Sequence, residues 1–275
     1  MSAVGNGYIL EAGVRDRGRL RELWRRRGLL WSFTLRELQV RYRQAALGCA
    51  WAVLQPLALT VITTLVFHVV LDVDVGGHPY PVFVYTGLLA WSFFHGAVTG
   101  AVPTLVNNAG LLRKIWFPRE TLPLATVLAV GLDLLVALAT WLILLVAFGE
   151  PLRPTLLWTL PLLAILIAFT TACALFGAAV NVRFRDVKHA LPLLLQVLFF
   201  ATPIVYPLAA VPASWHPWLA MNPLVGVVTG LRAAALDGVA PDPMITSISA
   251  SMAALLLLAA WWHFSRVERR FADIV

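Results

Sequence analysis

The chain has 275 residues and a formal net charge of +7, yet only 13% of its residues are charged and 60% are hydrophobic. A mean hydropathy of +0.81 excludes an ordinary water-soluble domain. Nineteen of the 21 basic residues fall in four segments between or beside apolar stretches, so the excess charge is membrane-side charge, not a nucleic-acid groove.

The first 27 residues form a basic N-terminal stretch, read as mobile, which an anionic leaflet would attract. Residues 28–50 form a second unit. Within it Trp31, Leu35, Leu38 and Tyr42 recur at steps of four, three and four, with Arg36, Glu37, Gln39, Arg41 and Arg43 mostly on other faces. This pattern predicts an amphipathic helix lying in the membrane interface. No compact apolar segment precedes it, so no signal peptide is expected, and the membrane domain is assigned to 51–275.

Six stretches approach the roughly 20 apolar residues that a spanning helix needs: 51–71, 81–106, 121–148, 155–180, 191–206 and 244–264. Placing both termini in the cytosol puts 10 basic residues before Trp51, and three each in 107–120, in 181–190 and after Phe264, on that side. Only Arg153 and Arg232 are left outside. The positive-inside rule therefore predicts cytoplasmic termini.

Between the second and third stretches lies NNAGLLRKIWFPRE, residues 107–120. Leu111, Leu112, Ile115 and Trp116 share one side of a short amphipathic helix, with Arg113, Lys114 and Arg119 elsewhere. Pro118 ends that helix, since it lacks an N–H and biases Phe117 towards an extended conformation. A membrane-lying linker and a docking element acting on two spans both fit these residues. Asp133 lies near the middle of the third stretch and is alone there, which favours a neutral or hydrogen-bonded structural acid over an ion relay. The second cytosolic loop carries Arg183, Arg185, Asp186 and Lys188, which serve as topology-setting charge or as a further docking contact.

The fifth stretch is short and is interrupted by Pro192 and Pro203. Residues 208–243 remain largely apolar but too broken for one span. Two helices re-entering the outer leaflet, hinged near Asn222 and Pro223, account for the pattern, and irregular backbone at that depth must be covered by protein or line water. Aromatics in the second and fifth stretches, Trp91, Phe94, Phe199, Phe200 and Tyr206, are packing residues or the lining of a path. No P-loop, H-E-x-x-H, C-x-x-C or G-x-S-x-G motif occurs, the six histidines show no metal-ligand spacing, and the two cysteines suggest neither a disulfide framework nor a metal site. The chain has no catalytic site of its own in this reading.

Four segments together carry a resemblance: RYRQAALGCAWAVLQP (41–56), LLRKIWFPRETLPLA (111–125), RFRDVKHALPLLLQVLFFATPIVYP (183–207) and MNPLVGVVTGLRAAAL (221–236). They resemble the permease subunit of ABC-2 type exporters of polysaccharide, such as O-antigen, teichoic acid or galactan-like glycans. The resemblance implies an all-α integral membrane fold: six transmembrane helices, an N-terminal interfacial helix, a short cytosolic coupling helix and two re-entrant outer helices. It also implies a homodimer in a bacterial inner or plasma membrane, with two copies of a cytosolic ABC ATPase beneath it. That partner would bind ATP and Mg, and this chain would hold no cofactor or metal.

By the same resemblance Leu112, Arg113, Lys114, Trp116, Pro118 and Arg119 are coupling residues, with Arg183, Arg185 and Asp186 as a second contact. The substrate would be a lipid-linked glycan passing along aromatics such as Trp91, Phe94, Phe199, Phe200 and Tyr206, with membrane lipid alongside and no nucleic acid involved. No long outer domain fits in the chain, which sets aside the branches that carry one. An ABC-2 exporter of small hydrophobic molecules or lipids would share the coupling loops. A lipid-linked glycosyltransferase would need cavity-facing acids or a metal motif. A purely structural membrane protein would need neither docking loops nor a broken outer segment.

Overall fold

The computed structural model describes residues 24–43, 50–114 and 117–268, and among these the chain is helical, with no strand. Trp116, Cys49 and residues 1–23 of the basic N-terminal stretch lie outside the described residues. The helices are α1 (Arg27–Tyr42), α2 (Trp51–Thr63), α3 (Tyr80–Ala101), α4 (Thr104–Asn107), α5 (Ala109–Lys114), α6 (Thr121–Ala147), α7 (Thr159–Arg183), α8 (Val187–Ala201), α9 (His216–Ala220), α10 (Pro223–Arg232) and α11 (Pro243–Val267). α2 continues as a π-helical turn over Thr64–Val70, and α10 as another over Ala233–Asp237.

Among the described residues five helical stretches are long and apolar enough to cross a membrane: Trp51–Val70, Tyr80–Ala101, Thr121–Ala147, Pro154–Arg183 and Pro243–Val267. A sixth would be the pair Ala213–Ala220 and Pro223–Asp237, bent by 114° at its break. The stretch read as the fifth span differs from expectation. α8 has 15 residues, begins at Val187 inside the segment read as a loop, and ends at Ala201 before Pro203. At about 1.5 Å per residue it is shorter than the hydrocarbon layer.

α3 is the centre of the bundle. Seventy-eight per cent of its apolar window is buried, against 11% for the α2 stretch and 17% for α11. Small residues let its neighbours approach. A Cβ on Gly100 would meet Thr126 Cγ2 at 2.8 Å, and one on Gly177 of α7 would meet Val102 Cγ2 at 2.6 Å. Trp141 of α6 donates from Nε1 to Thr86 Oγ1 at 2.8 Å, so its one polar atom is satisfied inside the core.

Local sequence explains the helix starts near the bend. Asn222 accepts from Leu224 N at 3.1 Å to cap α10, while its amide donates to Thr202 Oγ1 at 2.9 Å. Asp242 caps α11 by accepting from Met244 N and Ile245 N at 2.8 and 3.0 Å, and proline follows each cap directly. α10 packs on α11 at Gly226, where a Cβ would collide with Ser249 Oγ and lie 2.7 Å from Ser249 Cβ. Gly226→Ala should therefore cost about 1–3 kcal/mol by overpacking and lower the thermal midpoint in detergent. Adding Ser249→Gly should recover part of the loss. An unchanged midpoint in the single variant would show that the two helices do not pack so closely.

At the end of the bundle opposite α4 and α5, His78 bridges two carboxylates. Its Nδ1 lies 2.9 Å from Glu150 Oε1 and its Nε2 lies 3.2 Å from Asp237 Oδ1. These contacts tie the connections before α3, after α6 and after α10 into one layer.

Candidate functional site

Three groups of residues carry features beyond packing. The first sits where α1 meets the bundle. Leu29 and Phe33 pack on the core and Thr34 is buried, whereas Trp31 and Leu35 remain exposed. The packed side of α1 is thus turned by about one position from the stripe Trp31–Leu35–Leu38–Tyr42 that spacing picks out.

At its far end α1 reaches Asp133. Arg41 Nη1 donates to Asp133 Oδ2 at 2.6 Å, and the Tyr42 hydroxyl donates to Oδ1. Burial, then the adjoining carboxylate, pushes Tyr42 up to about 12, so its hydroxyl keeps the proton it donates at any physiological pH. Asp133 is hydrogen-bonded, as a structural acid would be, but it is not alone. A cation 92 residues earlier in the chain neutralises it. The pair opens onto a cavity of about 260 Å3 between α1, α2, α3 and α6, whose wall also includes Trp51, Gln55, Ser92 and His95.

The second group lies at the end bearing α4 and α5. The helix expected through Trp116 is described as far as Lys114; Phe117 and Pro118 are buried and belong to no helix, and Arg119 and Glu120 form the turn into α6. Leu111 and Leu112 pack against the second hydrophobic cluster, and Arg113 and Lys114 are exposed. The loop is clasped from both sides. Arg36 of α1 donates to Asn108 Oδ1 at 2.5 Å and Phe33 packs on Phe117 with ring centroids 5.4 Å apart. From the other side Arg119 Nη1 donates to the Glu268 carbonyl at 2.7 Å, and Arg119 N donates to Glu268 Oε1 at 3.3 Å. Thus α1, the loop and the end of α11 form one connected unit.

Arg183, Arg185 and Asp186 are exposed at the same end, since Asn181 at the end of α7 donates to Val102 O at 3.2 Å. Arg183 lies over the Phe184 ring at 5.2 Å, which holds its charge beside the loop backbone.

The third group is aromatic. Phe94 is buried and stacks on Phe169 at 5.1 Å; Trp91 packs on Phe94 and meets the edge of Phe199 at 5.2 Å, and Phe199 meets Phe200 at 5.3 Å. The Tyr206 hydroxyl donates to the Phe200 carbonyl at 2.8 Å. The five aromatics singled out from sequence are brought together, but as a ladder running from core to surface. Phe94 and Trp91 are buried, Trp91 also lining the cavity at the Arg41–Asp133 pair, and of the five only Phe200 is exposed.

Two features escaped the sequence reading. Arg232, counted only among the basic residues on the outer side, is buried among backbone carbonyls. Arg41 was read only as one basic residue on a helix face. The signal for both was available in principle, because an ionisable residue inside or beside an apolar stretch needs a named partner.

Comparison with known proteins adds a consistent family likeness. The family described as ABC-2 type transporter matches residues 28–236. The O-antigen export system permease protein RfbA of Myxococcus xanthus is 34% identical over 262 residues, covering 93% of this chain and 98% of that protein. RfbA of Klebsiella pneumoniae is 29% identical over 248 residues, 90% of this chain and 95% of that protein. The polysialic acid transport protein KpsM of Escherichia coli is 29% identical over 209 residues, 74% of this chain and 80% of that protein.

Proposed function

The chain belongs to the ABC-2 type transporter family, and from that premise we propose that it is the membrane subunit of an ATP-driven exporter of lipid-linked polysaccharide. The observation that carries this reading is the near full-length likeness to a protein named as an O-antigen export permease. The chain is a multi-pass membrane protein with no P-loop in its sequence, so the nucleotide, with its Mg, falls to a separate cytosolic ATPase.

Two copies of this chain and two of the ATPase make the working assembly. Both termini, α5 and the turn between α7 and α8 face the cytosol, as the distribution of basic residues favours. α1 lies in the cytosolic interface and the bent pair 213–237 re-enters from the outer side. One bundle of short helices offers no bore for a sugar chain, so the path follows the seam between two copies. The α8 face with Leu193, Leu194, Val197 and Phe200 is exposed and adjoins the aromatic ladder, which supports a seam running past Phe199, Phe200 and Tyr206. Rings there stack on sugar faces without demanding one hydroxyl pattern, much as aromatic platforms tolerate changing bases in single-strand binders.

Closure of the ATPase would push on α5. The clasps Arg36–Asn108 and Arg119–Glu268 would carry that push into α1 and α11 together. The test is complementation. A strain lacking the chain should accumulate lipid-linked glycan on the cytosolic side and regain surface polymer when the chain is restored together with its ATPase, with which it should co-purify. Surface polymer at wild-type level in the deleted strain would refute the reading.

A further inference from the structure

The cavity at the Arg41–Asp133 pair has a chemistry that the conduit alone does not require. Asp133 lies 12 residues into α6, which puts it about 18 Å along that helix from Thr121. Ionic groups at such depth mark functional positions by default, because they are costly unless a cavity or partner receives them. Here five polar residues, Arg41, Gln55, Ser92, His95 and Asp133, converge on one space with Trp51 as an aromatic wall.

We propose that this cavity is a recognition pocket for one uncharged sugar ring of the transported glycan, held by the Arg41–Asp133 pair against Trp51. The proposal rests on the exporter reading and names the chemistry that reading leaves open. Size is the first argument. A volume of about 260 Å3 lies just below the ~300–1,000 Å3 range of ligand pockets, enough for a single ring and not for a passing polymer.

Charge is the second. Arg41 already faces Asp133 at 2.6 Å, so a phosphate arriving at the guanidinium would meet a carboxylate beside it. The site therefore selects against an anionic headgroup. A sugar hydroxyl both donates and accepts, and the pair offers both functions at a fixed spacing. A guanidinium has five N–H donors and a carboxylate about four acceptor positions. Among the described residues the hydrogen bonds of this pair use one donor of Arg41 and one contact on each oxygen of Asp133. Gln55, Ser92 and His95 add further polar atoms, and the Trp51 ring presents a flat apolar face to ring C–H groups. Trp51 is half exposed, so it is a wall that can be changed with little disturbance to the bundle.

The test uses the full chain assembled with its ATPase in lipid nanodiscs. Saturation-transfer NMR is recorded with methyl glycosides of glucose, galactose, mannose, rhamnose and N-acetylglucosamine, with inorganic pyrophosphate as charged competitor. At least one glycoside should show saturable transfer. The signal should fall at least five-fold in Trp51→Ala, return in Trp51→Phe, fall in Asp133→Asn, and resist pyrophosphate. No transfer from any glycoside, transfer that persists in Trp51→Ala, or displacement by pyrophosphate would each overturn the proposal. If Asp133→Asn fails to assemble, the Trp51 pair alone decides. Surface polymer is measured in the same strains: absent wild-type export would sink the exporter reading, whereas export without glycoside binding would sink only the pocket.

Discussion

Replacing Arg232 with alanine should leave little folded protein in the membrane. The guanidinium is buried and donates to the carbonyls of Phe83 at 3.2 Å, Pro203 at 2.5 Å, Tyr206 at 3.4 Å and Ile204, with its Cζ 3.4 Å from the Phe83 ring centroid. Three of those carbonyls belong to the irregular backbone that follows α8, where no helical ladder supplies their donors. One cation therefore satisfies several acceptors of the broken segment at once. A buried carbonyl without a partner costs about 1–3 kcal/mol, so losing several at once approaches the ~5–15 kcal/mol total stability of a typical domain. Arg232→Lys should be intermediate, since a point charge cannot fork across several acceptors. Arg232→Met, which keeps bulk and removes the donors, separates hydrogen bonding from packing. Membrane-inserted protein at wild-type level, with an unchanged thermal midpoint, in Arg232→Met would refute the pin. Gly87→Ala should weaken the same place, because its Cβ would lie 3.0 Å from both Arg232 Nη2 and Ile204 O.

The membrane class, the long spans and the break after α8 were legible in the sequence because each depends on local composition. Apolar run length sets a span, and Pro203 with Pro207 stops α8 wherever the rest of the chain lies. The start of α8 was less legible, since polar Lys188 and His189 read as loop yet form its first turn. Long-range pairs left no local trace. Asp133 looks isolated along the chain because Arg41 comes 92 residues earlier, and the burial of Arg232 was not legible because its carbonyl partners carry no side-chain signature. The face that α1 packs on the bundle was not legible for a related reason. Hydrophobic spacing identifies a stripe, but bundle and lipid both accept apolar residues, so Trp31 and Leu35 stay exposed while Phe33 and Thr34 turn inward. Among the aromatics, composition could not separate Phe94, stacked in the core, from Phe200 at the surface.

Reversing the charges on α5 should stop export without unfolding the chain. Arg113 and Lys114 are exposed on α5, and surface substitutions of this kind usually change stability by no more than about 0.5 kcal/mol. Arg113→Glu with Lys114→Glu should therefore insert and run as wild type on size exclusion. If this face docks an ATPase, surface polymer should fall at least ten-fold. Two ways of failing can be told apart. Loss of co-purifying ATPase means the charges hold the partner, while retained ATPase that still hydrolyses ATP means they transmit its movement. Trp116→Ala should give the second result, because an uncharged apolar side chain adds little to the steering of an encounter, which charges supply. The clasp offers an internal control. Glu268→Ala keeps the main-chain carbonyl that Arg119 Nη1 uses and removes only the carboxylate facing Arg119 N, so export should fall by less than in the double reversal. Full export with normal ATPase binding in the Arg113, Lys114 and Trp116 variants would mean that the loop between α3 and α6 is a linker, and that the drive enters elsewhere.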